Sequence, residues 1–177
     1  MTNLSPAVLT AGRLALLECV IITSALLWMA APCWAIDFAG KVVGVTDGDT
    51  LMVLHEGRPE RIRLAGIDAP EHGQPFGTRA KQAASALAFG QEVTVRTIGH
   101  DRYGRTLGEV VLPDGRLLNH ELVRQGFAWW YRHYSSDQRL ATLEAEARAA
   151  RRGLWADPEP IPPWEWRRAQ HPVRGSK

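Results

Sequence analysis

The sequence predicts an α+β domain with a mainly β core, on three observations. Between Gly40 and Leu112, short runs alternate apolar and polar residues or stay apolar over strand lengths. Turn signals separate them: Asp47-Gly48, Glu56-Gly57-Arg58-Pro59 and Pro113-Asp114-Gly115. Helical patterning is confined to one stretch between the strands and two after them.

Taken in order, Gly40 to Val45, Thr50 to Leu54 and Arg61 to Ile67 form a three-stranded meander. Thr78 to Phe89 places Ala and Leu at helical spacing and stops before Gly90. Glu92 to Ile98 and Leu107 to Leu112 are two further strands. Asn119 is the expected N-cap of a short helix stopping at Gly126, and Ser136 that of a longer one ending at Gly153. So few strands bury a core only by closing on themselves. The order β-β-β-α-β-β-α-α therefore predicts a five-stranded OB-type Greek-key barrel with three helices, the last two packed outside it. From Asp157 onward Pro158, Pro160, Pro162 and Pro163 predict an extended surface tail as far as Trp164-Glu165-Trp166-Arg167. Leaving Trp164 and Trp166 in water is costly, so they are expected to dock back on the domain; a partner or membrane surface is the alternative.

The chain has 177 residues, 45% hydrophobic and 23% charged, a balance that supports one globular core and excludes a disordered, collagen-like or repeat protein. Its 21 Lys+Arg and 19 Asp+Glu leave a net charge of +2, so any phosphate-binding surface must be local. Among the basic residues only Lys41, Lys81 and Lys177 are lysine. That excess of arginine favours forked contacts to phosphate or carboxylate, although a genome-wide coding bias gives the same ratio. Residues 1–35 are set aside as an export signal: Leu14 to Ala35 is nearly all apolar, Arg13 precedes it, and Cys33 and Ala35 are small residues at alternate positions before a cut after Ala35. Glu18 interrupts the run, and its length would also serve an uncleaved membrane anchor. Either reading puts residues 36–157 and the tail 158–177 outside the cytoplasm, secreted or periplasmic, with a membrane tether in the anchor case. Cleavage removes Cys19 and Cys33, leaving no thiol for a disulfide or a thiolate metal site.

The chemistry-bearing residues cluster at strand ends. Asp47 and Asp49 are i and i+2 as the chain enters a strand, so both project to one side. A second acidic pair, Asp68 and Glu71, follows the third strand, with Pro70 fixing the turn. Such hard oxygen donors, with a backbone carbonyl nearby, suit Ca2+; no set suitable for zinc is present. Singly, each motif is also an ordinary turn or loop. Arg63 precedes Asp68 by five residues, and Asp101-Arg102-Tyr103-Gly104-Arg105 connects the fourth and fifth strands. Guanidinium groups converging on a carboxylate site suit a phosphodiester gaining negative charge in its transition state. The bland alternative is a pair of surface salt bridges.

Asp47-Gly48-Asp49-Thr50, the run from Arg63 to Glu71, Asp101 to Arg105 and Leu122-Val123-Arg124-Gln125-Gly126 recur in this order in the staphylococcal nuclease (thermonuclease) family. The chain resembles that family from about Phe38 to Asp157, including Glu144, Ala147, Gly153, Leu154 and Trp155, and its tail resembles that of bacterial secreted members. The resemblance implies a Ca2+-dependent nuclease cutting DNA and RNA at the bond between phosphorus and the 5′ oxygen, leaving 3′-phosphoryl ends. By the same resemblance Asp49 and Asp68 ligate Ca2+ by side chain, Ala69 by its carbonyl, and Asp47 through water. Glu71 then acts on the attacking water, and Arg63 and Arg105 contact the scissile phosphate. Glu71 is the acidic residue left after the ligands are assigned, and His72 is the competing base.

Departures from the best-known member lie in the substrate cleft. The loop from His72 to Gly77 is shorter and lacks lysines, and the family's two bracketing tyrosines align with Arg132 and Tyr134. Tyr134, Arg132 and Tyr103 are the expected substrate-binding residues, stacking on bases or contacting phosphate. Trp129, Trp130 and Tyr131 replace lost aromatic area or pack in the core. Single-stranded DNA and RNA are the expected partners of a monomer. The rivals are a non-catalytic nucleic-acid-binding OB module, a structural calcium-binding domain and a phosphodiesterase for small esters. The first normally lacks the acidic ligands, and the second leaves Arg63 and Arg105 unexplained.

Overall fold

Closure of the sheet follows from the alternation of small strands whose inward residues have nowhere else to go. The computed structural model describes residues 37–170; the export segment lies outside the described residues. Strands β1 (Phe38–Asp47), β2 (Thr50–His55), β3 (Arg58–Leu64), β5 (Glu92–His100) and β6 (Thr106–Val111) form a closed barrel in the order β1-β2-β3-β6-β5. All neighbours are antiparallel except β3 and β6, which run parallel. β1 departs from regular register twice, at Val42–Gly44 and Val45–Asp47, and bulges of this kind supply the bend that closure needs. Val42, Leu51, Val53, Ile62, Leu64, Val95 and Val110 fill the interior.

Helix α1 (Gly77–Ala88) buries Ala80, Ala84 and Ala88, one four-residue row, against this core, and α2 (Leu118–Arg124) adds Leu118 and Leu122. Helix α3 (Gln138–Ala149) buries Leu140, Leu143 and Ala147. Two short strands outside the barrel, β4 (Ile67–Asp68) and β7 (Trp129–Trp130), pair antiparallel and tie the third barrel strand's exit to the segment after α2.

The cap residues differ from expectation. Leu117 precedes α2, and Asn119 lies inside it, buried, because its carboxamide serves the barrel: Oδ1 accepts from Val110 N at 3.1 Å and Nδ2 donates to the Ala65 carbonyl at 2.8 Å. Asp137, not Ser136, caps α3, its carboxylate accepting from Arg139 N at 2.8 Å. That helix ends at Ala149, short of Gly153, which opens a 3-10 turn (Gly153–Ala156) where Leu154 N donates to the Gly126 carbonyl at 2.8 Å.

Four α-helices, not three, occur among the described residues. The tail forms α4 (Pro163–Gln170), with buried Pro163 at its first position, where a missing N–H costs nothing. Trp164 docks as expected, packing against Trp129 at 5.6 Å and Tyr131 at 5.3 Å between ring centroids. Among the described residues no helix is long and apolar enough to cross a membrane.

Candidate active site at the barrel rim

Pairing Thr50 with Arg63 sets Asp49, the residue before β2, beside the guanidinium of β3, and Leu64 N donates to the Asp49 carbonyl at 2.9 Å. Gly48 makes the turn possible at this depth: a Cβ there would stand 2.7 Å from Ala69 Cβ and 2.8 Å from Ala80 Cβ. The close approach lets Ala69 N donate to Asp49 Oδ2 at 2.7 Å, and the Thr50 hydroxyl donates to Oδ1 at 3.2 Å. The Asp47-Gly48-Asp49 and Asp68-Ala69 segments are thus brought together by backbone packing.

Arg63 lies between them. Its Nη2 is 3.1 Å from Asp49 Oδ2 and 2.9 Å from Asp68 Oδ1, while Nη1 donates to the Leu64 and Ile67 carbonyls at 2.8 and 3.0 Å. With 13% of its side chain exposed, it is a fixed internal charge. Glu71 follows on a folded-back loop: Gln74 N donates to the Glu71 carbonyl at 3.0 Å, and Glu71 N donates to Gln74 Oε1 at 3.0 Å. Gly77 is required beside it, since a Cβ would collide with the Glu71 carbonyl. The Glu71 side chain is 37% exposed, at the rim where water reaches it.

The carboxylates carry more negative charge than Arg63 offsets. Burial, then the charge of Asp49, pushes Asp47 up to about 6. Burial also raises Asp68, with Asp49 adding to the rise and Arg63 and Arg167 opposing it. Arg167, from α4, enters this gap: Nη2 lies 2.8 Å from Asp68 Oδ2, Nη1 3.3 Å from Oδ1, and Nη1 also bonds Glu71 Oε1. Burial opposes the charge of Arg167, but its bonds to Asp68 and Glu71 prevail and raise its pKa.

Other expected site residues are held apart. Arg105 makes no ion pair with these four carboxylates; Asp101 holds it in the β5–β6 loop, accepting from Arg105 Nε at 2.6 Å and from its backbone N–H at 3.0 Å. Tyr103 is exposed in that loop, its hydroxyl accepting from Arg102 Nη2 at 2.7 Å. Arg132 lies over Trp130 at 5.2 Å and reaches Glu144 of α3 at 3.4 Å. Tyr134 is exposed, edge-on to Tyr131 with centroids 4.7 Å apart. Trp129 is buried, as expected for core packing, and His72 is exposed.

Among the described residues no three carboxylate, imidazole or thiol groups stand close enough to form a ready-made metal cage. The donor chemistry nevertheless fits a hard divalent cation. Asp49, Asp68 and Glu71 offer oxygens, the group is short of positive charge, and a guanidinium already stands between Asp68 and Glu71. Two residues at this site escaped the sequence reading. Gln74 occupies a loop with no local signal. Arg167 had one: it stands three residues after Trp164, on the helix face that the aromatic ring docks.

The family described as Staphylococcal nuclease homologue matches residues 61–157. The chain is similar to a protein named micrococcal nuclease from Shigella flexneri, 46% identical over 84% of this chain and 91% of that protein. An uncharacterized endonuclease of Escherichia coli O157:H7 is 46% identical over 77% of this chain and 89% of its own length. A second uncharacterized endonuclease, from Haemophilus influenzae, is 44% identical over 73% of each chain.

Proposed function

We propose, since this chain belongs to the staphylococcal nuclease family and is a nuclease of that family, that it is a Ca2+-dependent phosphodiesterase hydrolysing DNA and RNA at the P–O5′ bond to 3′-phosphoryl products. The observation that carries the reading is the convergence of Asp49, Asp68 and Arg63 at one rim of the barrel, with Glu71 exposed beside them.

Asp49, Asp68 and the Ala69 carbonyl would hold the cation, with Asp47 behind them through water. Calcium, when bound, supplies positive charge against the phosphate oxygens and a site for water close to the phosphorus. Glu71 orients the attacking water and takes its proton onto its carboxylate, releasing it to solvent afterwards, while the departing 5′ oxygen gains a proton. Arg63, oriented by two backbone carbonyls, turns its Nη2 donors from Asp49 and Asp68 to the equatorial oxygens as they gain charge. Arg105, on its exposed loop, reaches the phosphate after exchanging Asp101 for it and assists the departing 5′ oxygen. Exposed Tyr134 and Tyr103 offer aromatic faces to unstacked bases, which supports single-stranded substrates, and Arg132 adds a phosphate contact. Residues 1–35 support a secreted or periplasmic protein, with a membrane anchor as the alternative.

Digestion of heat-denatured DNA by the full chain, with calcium and then with excess chelator, tests the reading beside Glu71→Gln. Cutting that needs calcium and falls by about two to four orders of magnitude in the variant is expected. Undiminished activity in the variant would remove Glu71 from its role, and folded protein that cuts in no lane would point to a binding module.

A further inference from the structure

We propose that the C-terminal helix α4 is a self-inhibitory plug: it engages the cation ligand Asp68 and the base Glu71 with Arg167, covers a base-stacking face with Trp164, and is displaced by the divalent cation and nucleic acid. This rests on the calcium reading above.

Two groups on one helix face do what a substrate and its cation would do. Arg167 forks across Asp68, at 2.8 and 3.3 Å, and onto Glu71, linking an expected metal ligand to the expected base. A carboxylate forked by a guanidinium has its lone pairs already engaged. One turn earlier, Trp164 lies on Tyr131 with ring planes 1° apart and centroids 5.3 Å apart. Tyr131 in turn packs edge-on against exposed Tyr134. A flat π-face laid parallel on a tyrosine is the contact that an unstacked base makes. Ion-pair formation by an adventitious tail explains neither this second contact nor the shared face.

The plug is built to leave. The preceding segment is pinned by buried Gln74, whose Nε2 donates to the Ile161 carbonyl at 2.7 Å, and Pro162 separates that anchor from Pro163, the first residue of α4. Beyond the prolines, Arg167 is 40% exposed, so water and salt reach its ion pairs. A cation held by Asp68 must displace the guanidinium that forks across both of its oxygens, so the two compete.

Calorimetric calcium titration of the full chain, without nucleic acid, measures that competition in wild type, Arg167→Ala and Arg168→Ala. Arg168 is exposed on the same helix and controls for loss of one positive charge. If the plug leaves only about 10 to 20% of the protein open, Arg167→Ala binds calcium about five- to tenfold more tightly, and Arg168→Ala binds as wild type does. In wild type, calcium also speeds tryptic cleavage after Arg167. Equal tightening in both variants would reduce the effect to diffuse charge and overturn the plug. Unchanged or weaker binding in Arg167→Ala overturns it too, while leaving the calcium reading intact. Calcium binding by none of the three proteins overturns both.

Discussion

Two arginines meet at Asp68, one from the barrel and one from the tail, and they differ in everything except charge. Arg63 is 13% exposed, bonds two backbone carbonyls and spans Asp49 and Asp68. Arg167 is 40% exposed and bonds side-chain carboxylates, Asp68 and Glu71. A guanidinium tied to the backbone is part of the architecture and cannot withdraw without leaving carbonyls and buried carboxylates unpaired. One that is itself partly exposed and held by side chains alone is exchangeable. The barrel rim therefore supplies permanent charge, and the tail supplies charge that a cation or phosphate competes away.

The largest effect expected from breaking this contrast is Arg63→Ala. It removes a transition-state donor worth about 2.7 to 4 kcal/mol, a fall in kcat of two to three orders of magnitude. It also strands buried Asp49 and Asp68 and should destabilise the fold by about 3 kcal/mol, read as a lower denaturant midpoint. An Arg63→Ala protein of wild-type activity and stability would abolish the distinction between the two arginines.

Arg105→Ala sharpens it from a third place. The β5–β6 loop holds Arg105 through the Asp101 carboxylate and the exposed Tyr103 ring, so activity should fall by about two orders of magnitude while the denaturant midpoint stays put. A stability loss like that of Arg63→Ala would mean that Arg105 is structural.

Gln74→Ala separates the tail's anchor from its plug. It leaves the Glu71 amide and the Ile161 carbonyl without a partner, costing about 1 to 2 kcal/mol, and faster tryptic cleavage of the tail should accompany the loss. Unchanged proteolysis would show that α4 is held by its own contacts.

The smallest effect comes from Asp47→Asn in calcium-free protein. Folding raises the Asp47 pKa from 3.8 to about 6, so the folded chain retains a proton that the unfolded chain releases within that window. Stability then falls as pH rises from about 4 to 6, and the cost is complete above it. The full linkage is about 3 kcal/mol; with solvent screening of this part-exposed carboxyl the variant should be more stable than wild type by about 1 kcal/mol at pH 8 and indistinguishable below pH 4, as thermal midpoints would show. Equal stabilities at both pH values would mean that Asp47 ionises freely.

Much of the rim was legible because its residues are close in sequence. The i,i+2 aspartates flank one turn, and Asp68 to Glu71 begin four residues past β3, so the pairing of β2 with β3 and the close packing of Gly48 on Ala69 bring them near each other. The Ala row of α1 likewise announced its buried face by spacing. Asn119 misled because its polar side chain suits a helix cap as well as a buried contact, and only the neighbouring Val110 amide and Ala65 carbonyl settle which it makes. The prolines of the tail correctly barred a helix before Pro163, but they carry no information on where the helix after them docks.

By itself the sequence determined the closed five-stranded barrel, the acidic and basic residue types at its rim and the docking of Trp164, since alternation, turn chemistry and the cost of exposed aromatics act locally. Tertiary structure alone decided which charges touch. Asp68 and Arg167 are 99 residues apart, and Gln74 and Ile161 are 87 apart. Pairings across such separations depend on how packed elements orient a few long side chains, which no local pattern encodes. Arg63 stands among carboxylates because a strand register puts it there, Arg105 faces Asp101 because the two share one tight loop, and Arg167 reaches Asp68 from a helix that an aromatic ring one turn away docks by stacking.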